Sequence, residues 1–241
     1  MRQVAEGIGP VYCPPPTRPQ TEGRYRVSRK RSSVKNLREW AERERVDLNT
    51  SLSLDSSFRF PLQNGQARHE VLWGAALLIL LPGVGWLLNM GHRIEMVHRM
   101  HLGEEPWPAW TNYPRLFKNG LVTFLGMLYY YLPGALLVYN GEKITGWTLI
   151  VLATLAIPGY MTHYCRNFDV REIFNPFLAL SRVFQGGAAY WRAWGVALSA
   201  LALSFVGLIF GLFFLVTSVW FWQVAGFSFA TVFTQEFELR D

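Results

Sequence analysis

The sequence predicts an all-α integral membrane protein, a helical bundle of about four kinked transmembrane helices with amphipathic helices in the membrane interface. Two observations carry this prediction. Of the 241 residues, 51% are hydrophobic and only 17% are charged, below the roughly 25% of an ordinary soluble domain. The apolar residues are concentrated after Glu70 in four stretches, each long enough to supply the roughly 20 helical residues that cross a bilayer.

Composition divides the chain into three regions. We expect a basic, Pro/Arg-rich extramembrane arm over residues 1–69, a transmembrane helical domain over residues 70–233 and a short polar tail over residues 234–241. The arm carries a net charge of +6, which equals that of the whole chain. The N-terminus lacks the apolar segment of a secretory signal peptide, and the two cysteines, Cys13 and Cys165, form neither a disulfide framework nor a zinc-binding spacing.

The arm is built from a proline-rich extended piece (10–20), a basic run (24–31), a short predicted helix (33–45) and a linker (49–57). Such a basic arm favours anionic lipid headgroups or an acidic protein surface as its partner, and it shows no recognisable nucleic-acid-binding fold. Two tryptophans of the helical domain join the arm residues as predicted contacts to partners or lipid. The full set of predicted contacts is Arg24, Arg26, Arg29, Lys30, Arg31, Trp40, Trp107 and Trp110.

The four apolar stretches cover residues 71–90, 121–139, 147–165 and 194–222, and the last runs on apolar to Phe233. The first three contain a Leu/Ile-Pro-Gly sequence, at Pro82, Pro133 and Pro158. Because proline removes a backbone hydrogen bond, each site predicts a helix kink whose freed groups face protein rather than lipid. Broken helices of this kind also line the binding sites of transporters.

Two connectors, residues 92–119 and 166–192, each place a proline before an amphipathic turn or two and a closing glycine, the pattern of helices lying in the headgroup plane. With four simple crossings both connectors share one side of the membrane and the basic arm lies on the other, which conflicts with the excess of Lys and Arg expected on the cytoplasmic side. We expect a plain kinked crossing over residues 71–90, and the alternative is a re-entrant hairpin turned at Pro82, which would resolve this conflict.

Several motifs carry a family resemblance. The segments FRFPL, LLPGVGWLLNMGHRIEMVHRM and GEEPWPAWTNYPRLFKNGL follow one another from Phe58, and NPFLALSRVF precedes the last apolar stretch. Together they resemble a prokaryotic family of multi-pass membrane proteins, a domain of unknown function, over about Phe58 to Phe233. The Glu-x-Pro-x-Pro-x-Trp sequence from Glu104 to Trp110 is its most specific part. The resemblance implies residence in a membrane and supplies no active-site residues.

Five residues are candidate ligands for a metal or a pigment. His92, Glu95, His98 and His101 follow one another at three-residue spacings, and Glu-x-x-His is half of a di-iron carboxylate site. The alternative is a helix end whose His and Arg side chains meet headgroups or a partner. His163 lies inside the third apolar stretch, where it could ligate haem iron or chlorophyll magnesium or hydrogen-bond a neighbouring helix.

No phosphate-binding glycine loop, Ser-His-Asp order or zinc-protease motif occurs, so we expect no enzyme, no metal and no cofactor. The expected function is that of a structural or accessory subunit of a multi-subunit membrane complex, a photosynthetic reaction-centre and antenna or a respiratory assembly, in a prokaryotic inner membrane. Its partners would be other membrane-protein subunits and anionic lipids, not nucleic acid, and its aromatic helices would suit bound lipid, carotenoid or (bacterio)chlorophyll. The alternative is a small transporter or permease that uses the Pro-Gly breaks.

Overall fold

The computed structural model describes the backbone of residues 51–238 and the side chains of residues 51–234. Throughout this part all regular structure is helical. The elements, in chain order, are α1 (Leu54–Arg59), a 3₁₀ turn (Phe60–Leu62), α2 (Gly65–Leu80), α3 (Pro82–His101), α4 (Tyr113–Tyr139), α5 (Lys143–Asn167), α6 (Val170–Phe174), α7 (Pro176–Val206), a 3₁₀ turn (Gly207–Phe210) and α8 (Phe213–Glu238). The predicted basic contacts of the arm, Trp40 and the helix at 33–45 lie outside the described residues, and α1 begins within the predicted linker.

The predicted fold class is confirmed. Four helices are long and apolar enough to cross a membrane: α4, α5, α7 with its following 3₁₀ turn, and α8 up to Thr234. The chain is therefore a multi-pass membrane protein. These four helices are not the four predicted stretches, because the first stretch forms no such helix and the last one forms two.

The first stretch is a helical hairpin rather than one kinked crossing. Asn64 caps the start of α2 by accepting from the backbone N–H of Ala67, and Pro82 starts α3 at the position where a helix best tolerates proline. Between them, Leu81 leaves the helical region with φ −138° and ψ 69°. The Asn89 side chain then donates to the Gly74 carbonyl at 3.0 Å, so α3 runs back along α2.

Pro133 and Pro158 do not break their helices. Both lie within continuous helices, α4 and α5, and Pro133 is on an exposed side of α4 rather than facing protein as predicted. The conformational breaks lie elsewhere, at Leu81 and at Gly187 inside α7, where φ is 50° and ψ is −138°. The transporter alternative therefore loses two of the three breaks on which it rested.

The prediction of one long crossing from Trp194 is also wrong. Gly211, with φ +63°, reverses the chain after the 3₁₀ turn, so α7 and α8 pack side by side. The hydroxyl of Thr217 in α8 donates to the Ser204 carbonyl in α7 at 3.0 Å. Hydropathy alone could not show this reversal, since the residues of the turn are themselves apolar.

The first connector contains no separate interfacial helix, because residues 113–120 form the opening turns of α4. Asn112 caps this helix by accepting from the Arg115 backbone N–H. The second connector does contain two short amphipathic pieces, α6 and the part of α7 before Gly187.

The packing of the helices brings several helix ends to one end of the bundle. Glu95 near the end of α3 pairs with Arg115 near the start of α4 at 3.2 Å, and His101 Nδ1 lies 3.4 Å from Thr234 Oγ1 at the end of α8. We call this end, which holds the start of α2, both connectors and the end of α8, the polar end. The opposite end, the turn end, carries the turns at Leu81, Asn140–Glu142 and Gly211.

The basic residues of the described part of the chain are gathered at one end of the bundle. In the described part of the chain, Lys143 is the only Lys or Arg at the turn end. The other basic residues lie in α1, the α2–α3 hairpin, the two connectors and the neighbouring helix turns. The structure contains the hairpin turned at Pro82 that was the alternative to a full crossing.

Candidate functional site

A buried carboxylate–imidazole pair ties the hairpin to the first connector. Glu70 in α2 and His92 in α3 are each 1% exposed, and His92 Nε2–H donates to Glu70 Oε2 over 2.7 Å. The Ala109 backbone N–H donates to the same oxygen at 3.1 Å, and the Gln66 amide donates to Oε1 at 3.0 Å. The carboxylate therefore joins three chain segments that are distant in sequence.

Tryptophans of the connector enclose this pair. The Trp110 ring stacks on His92 with centroids 4.1 Å apart, and its indole N–H donates to the Glu70 carbonyl at 3.2 Å. Trp107 lies between His92, on which it stacks with centroids 6.1 Å apart, and the tilted ring of Phe60 at 5.5 Å. Trp107 is 5% exposed, so this predicted partner or lipid contact is instead committed to the interior of the chain.

The protonation of the pair follows from its surroundings. Burial raises the pKa of Glu70, but the hydrogen bonds from His92, Ala109 and Gln66 and the His92 charge together hold the pKa below its ordinary value. Burial lowers the pKa of His92 although Glu70 opposes this shift. Both pKa shifts favour a charged Glu70 carboxylate that accepts a hydrogen bond from a neutral His92 imidazole.

The predicted ligand cluster does not converge. Its four side chains contact different elements of the fold, namely His92 with Glu70, Glu95 with Arg115, His98 with the Cys165 carbonyl at 2.8 Å, and His101 with Thr234. Across residues 51–234 no group of three or more His, Cys, Asp or Glu side chains is arranged to hold a metal ion. These four side chains connect α3 to its neighbours, and each of them contacts a different helix.

His163, the other candidate ligand, is a packing residue of α5. Its Nδ1–H donates to the Gly159 carbonyl one turn earlier at 2.9 Å, and its ring meets the edge of Phe233 with centroids 4.9 Å apart. The side chain is 5% exposed. This hydrogen bond lies within α5, whereas the predicted alternative to ligation was a bond to a neighbouring helix.

We expect acid to destabilise the protein through His101. Burial, with the charges of Arg166, His163 and His98, lowers the pKa of His101 to about 4. Because an unfolded histidine titrates near 6.5, the unfolded chain gains the proton first, so stability is constant above about pH 6.5 and falls towards pH 4, by roughly 3 kcal/mol. The check is the Tm of the detergent-purified protein between pH 7.5 and 4.5. The His101→Gln variant should lose less Tm over this range, and an equal loss would contradict this assignment.

Arg93, next to His92 on α3, faces two cavities that the sequence did not predict. One, of about 310 Å³, lies between the hairpin, α4 and α8, and the other, of about 300 Å³, lies between α3, α4, α5, α7 and α8. Arg93, Met127 and Trp222 line both cavities, and Gln223 lines the first. The one signal in the sequence was Gln223, a lone amide in an apolar stretch. Its link to Arg93 could not be predicted, because the two residues are 130 positions apart.

No family model, no curated protein and no solved structure matches the chain. The resemblance to a prokaryotic membrane-protein family thus stays a prediction. The geometry of the described residues is what supports a function.

Proposed function

We propose that the protein is a non-catalytic structural subunit of a multi-subunit membrane complex, and that another membrane-protein subunit covers its turn end. The observation that carries this proposal is the chemistry of two turns. Residues 79–84, at the tip of the α2–α3 hairpin, and residues 207–213, between α7 and α8, contain no polar side chain. Leu80, Ile209 and Phe210 are 68, 78 and 69% exposed.

These two turns form one apolar surface. Leu78 and Leu215, which flank the turns, pack on the same buried cluster and line the same cavity. The third turn at this end is different, because residues 140–143 read Asn-Gly-Glu-Lys. Of the three, then, only the α4–α5 turn has the composition of a turn that meets water.

Neither water nor lipid suits this surface. Contiguous apolar patches are costly in water, and irregular backbone is not found against hydrocarbon, since its unpaired polar groups cost several kcal/mol each. Irregular backbone at membrane depth is tolerated where protein buries it. A helix of another subunit laid across both turns meets both requirements, and apolar helices are the natural occupants of such a surface.

The buried acidic and histidine side chains also support a structural role. Glu70, His92, Glu95 and His98 are engaged in contacts that hold helices and connectors together. Such contacts make a rigid body, which is what a subunit that positions its neighbours requires.

Photo-crosslinking in native membranes tests the proposed partner. A photoreactive residue at Ile209 should give a protein adduct of one defined mass, and mass spectrometry of that adduct would identify the host complex, for which photosynthetic and respiratory assemblies are the sequence-based expectation. The same residue at Leu128, on the exposed side of α4, controls for random capture. Migration of the gently solubilised chain near its own 27.6 kDa plus detergent, with lipid adducts alone at both positions, would refute the proposal.

The charge distribution further supports an orientation in a prokaryotic inner membrane with the polar end in the cytoplasm. Cytoplasmic segments near the membrane carry the excess of Lys and Arg, and the polar end carries them here. In a Cys13→Ser, Cys165→Ala background, an impermeant maleimide applied to intact cells should label Asn140→Cys and leave Ser51→Cys unlabelled. Labelling of Ser51→Cys alone would reverse the orientation.

A further inference from the structure

Arg93 is a buried cation without a counter-charge in the described part of the chain. Its side chain is 8% exposed. Its guanidinium donates to the Met161 sulfur at 3.3 Å and lies over the Trp222 ring, 4.8 Å from the centroid. Glu95, two residues further along α3, pairs with Arg115 instead. A thioether is a weak acceptor, and burying a charge without an opposite charge costs several kcal/mol, so the site favours an anion.

Gln223 on α8 faces the same cavity. It is 2% exposed, and neither its Oε1 nor its Nε2 has a hydrogen-bond partner among residues 51–234. Buried amides are almost always hydrogen-bonded. An amide and a guanidinium that meet at one cavity, neither satisfied by the described residues, make a combined donor set for oxygen atoms.

The other polar groups of this cavity are already engaged. Asn89 donates to the Gly74 and Gly85 carbonyls, and the Ser218 hydroxyl donates to the Leu215 carbonyl at 2.9 Å. His92 is held by Glu70. The remaining lining is apolar and includes Trp86, Met90, Met127 and Trp222.

The second cavity extends the apolar space beyond Arg93. It shares the wall made by Arg93 and Trp222 and continues along side chains such as Ile157, Leu201 and Phe229. Among the residues that the structure describes, no carboxylate lines either cavity. Each volume lies at the lower limit of small-ligand sites, about 300 Å³, which is room for a chain rather than for a bulky ring system.

From these observations we infer that the Arg93 and Gln223 side chains bind the acidic headgroup of an amphiphile whose acyl chain lies along the apolar walls. The shared chemistry is a carboxylate or phosphate on an alkyl chain, from either a fatty acid or an anionic phospholipid. The guanidinium offers parallel N–H donors to two oxygens, and the Gln223 amide donates to one of them. The Trp222 ring holds the guanidinium plane by a cation–π contact.

Binding to the isolated, delipidated full-length chain in non-ionic detergent tests this inference. Palmitate and phosphatidylglycerol are added separately and followed by native mass spectrometry and by Tm, with hexadecanol as the uncharged chain of equal length. We expect one-to-one binding and a raised Tm with an acidic amphiphile, and binding that is about 10- to 100-fold weaker in Arg93→Gln, as expected for lost charge-assisted hydrogen bonds. Arg192→Gln, which removes an exposed arginine outside both cavities, should bind as the wild type does.

The experiment distinguishes a fatty acid from a phospholipid as the ligand, and it names the results that would contradict binding. Tighter binding of palmitate assigns the site to fatty acids, and tighter binding of phosphatidylglycerol assigns it to a membrane lipid. Should Arg93→Gln fail to fold, Gln223→Leu is expected to weaken binding about 3- to 10-fold, the loss of one hydrogen bond. Equal binding of hexadecanol and both acids to the wild type, or unchanged affinity in the variants, would overturn the inference. Because the isolated chain is used, these outcomes do not depend on the proposed partner at the turn end.

Discussion

Replacing Gly91 with alanine should destabilise the protein by more than about 4 kcal/mol, the range in which single substitutions are exceptional. A Cβ at Gly91 would overlap the carbonyl oxygen of Leu116 on α4, and a Cβ at Gly120 would overlap the carbonyl oxygen of Leu87 on α3. The two helices therefore touch backbone to backbone at two points. No side-chain rotation can relieve the overlap, so α3 and α4 would have to separate and lose the packing between them.

Gly195 provides the matched control for this substitution. It also lies inside a long helix, α7, but a Cβ there meets no atom within 4 Å. Since alanine is the better helix former by about 0.5–1 kcal/mol, Gly195→Ala should be neutral or slightly stabilising. Unfolding in mixed SDS micelles, measured for both variants, gives the comparison. Equal stability of the two variants would show that α3 and α4 do not approach this closely.

Composition was sufficient to predict the fold class, but not the path of the chain. The Leu/Ile-Pro-Gly sequence occurs three times and breaks the helix once. At the first site Gly85 allows α3 to approach the Leu77 carbonyl of α2, so the hairpin can close. At the second, α4 stays helical through Pro133, and Gly134 packs against Gly146 of α5. The local pattern is the same at both sites, and tertiary packing decides the outcome.

The candidate site was out of reach for a related reason. Glu70 marked the boundary of the apolar region in the sequence, yet it is the centre of a hydrogen-bond network that recruits His92 and Ala109 from later segments. Arg93 and Gln223 come together only because α3 and α8 pack side by side. Such pairings depend on which helix faces are buried together, and hydropathy does not specify that.

Replacing Glu70 with leucine is expected to cost about 3–5 kcal/mol, because each buried donor left without an acceptor costs about 1–3 kcal/mol. The His92 ring, the Ala109 N–H and the Gln66 amide would all lose their acceptor in a buried site. Asp55 is the matched control, since it also pairs with a basic side chain, Arg59 at 2.9 Å, but in solvent. An exposed pair contributes only about 0–1 kcal/mol, so Asp55→Leu should barely change the unfolding midpoint.

A second substitution separates lost hydrogen bonds from lost packing at this site. In the Glu70→Leu, His92→Leu double variant no imidazole is left buried without an acceptor, and replacing both partners of a buried pair by apolar groups is often nearly neutral. The double variant should therefore recover part of the stability that Glu70→Leu loses. A double variant less stable than either single one would mean that His92 contributes through its stacking on Trp110 rather than through Glu70. In that case the aromatic enclosure, and not the Glu70–His92 hydrogen bond, would be what holds the hairpin against the first connector.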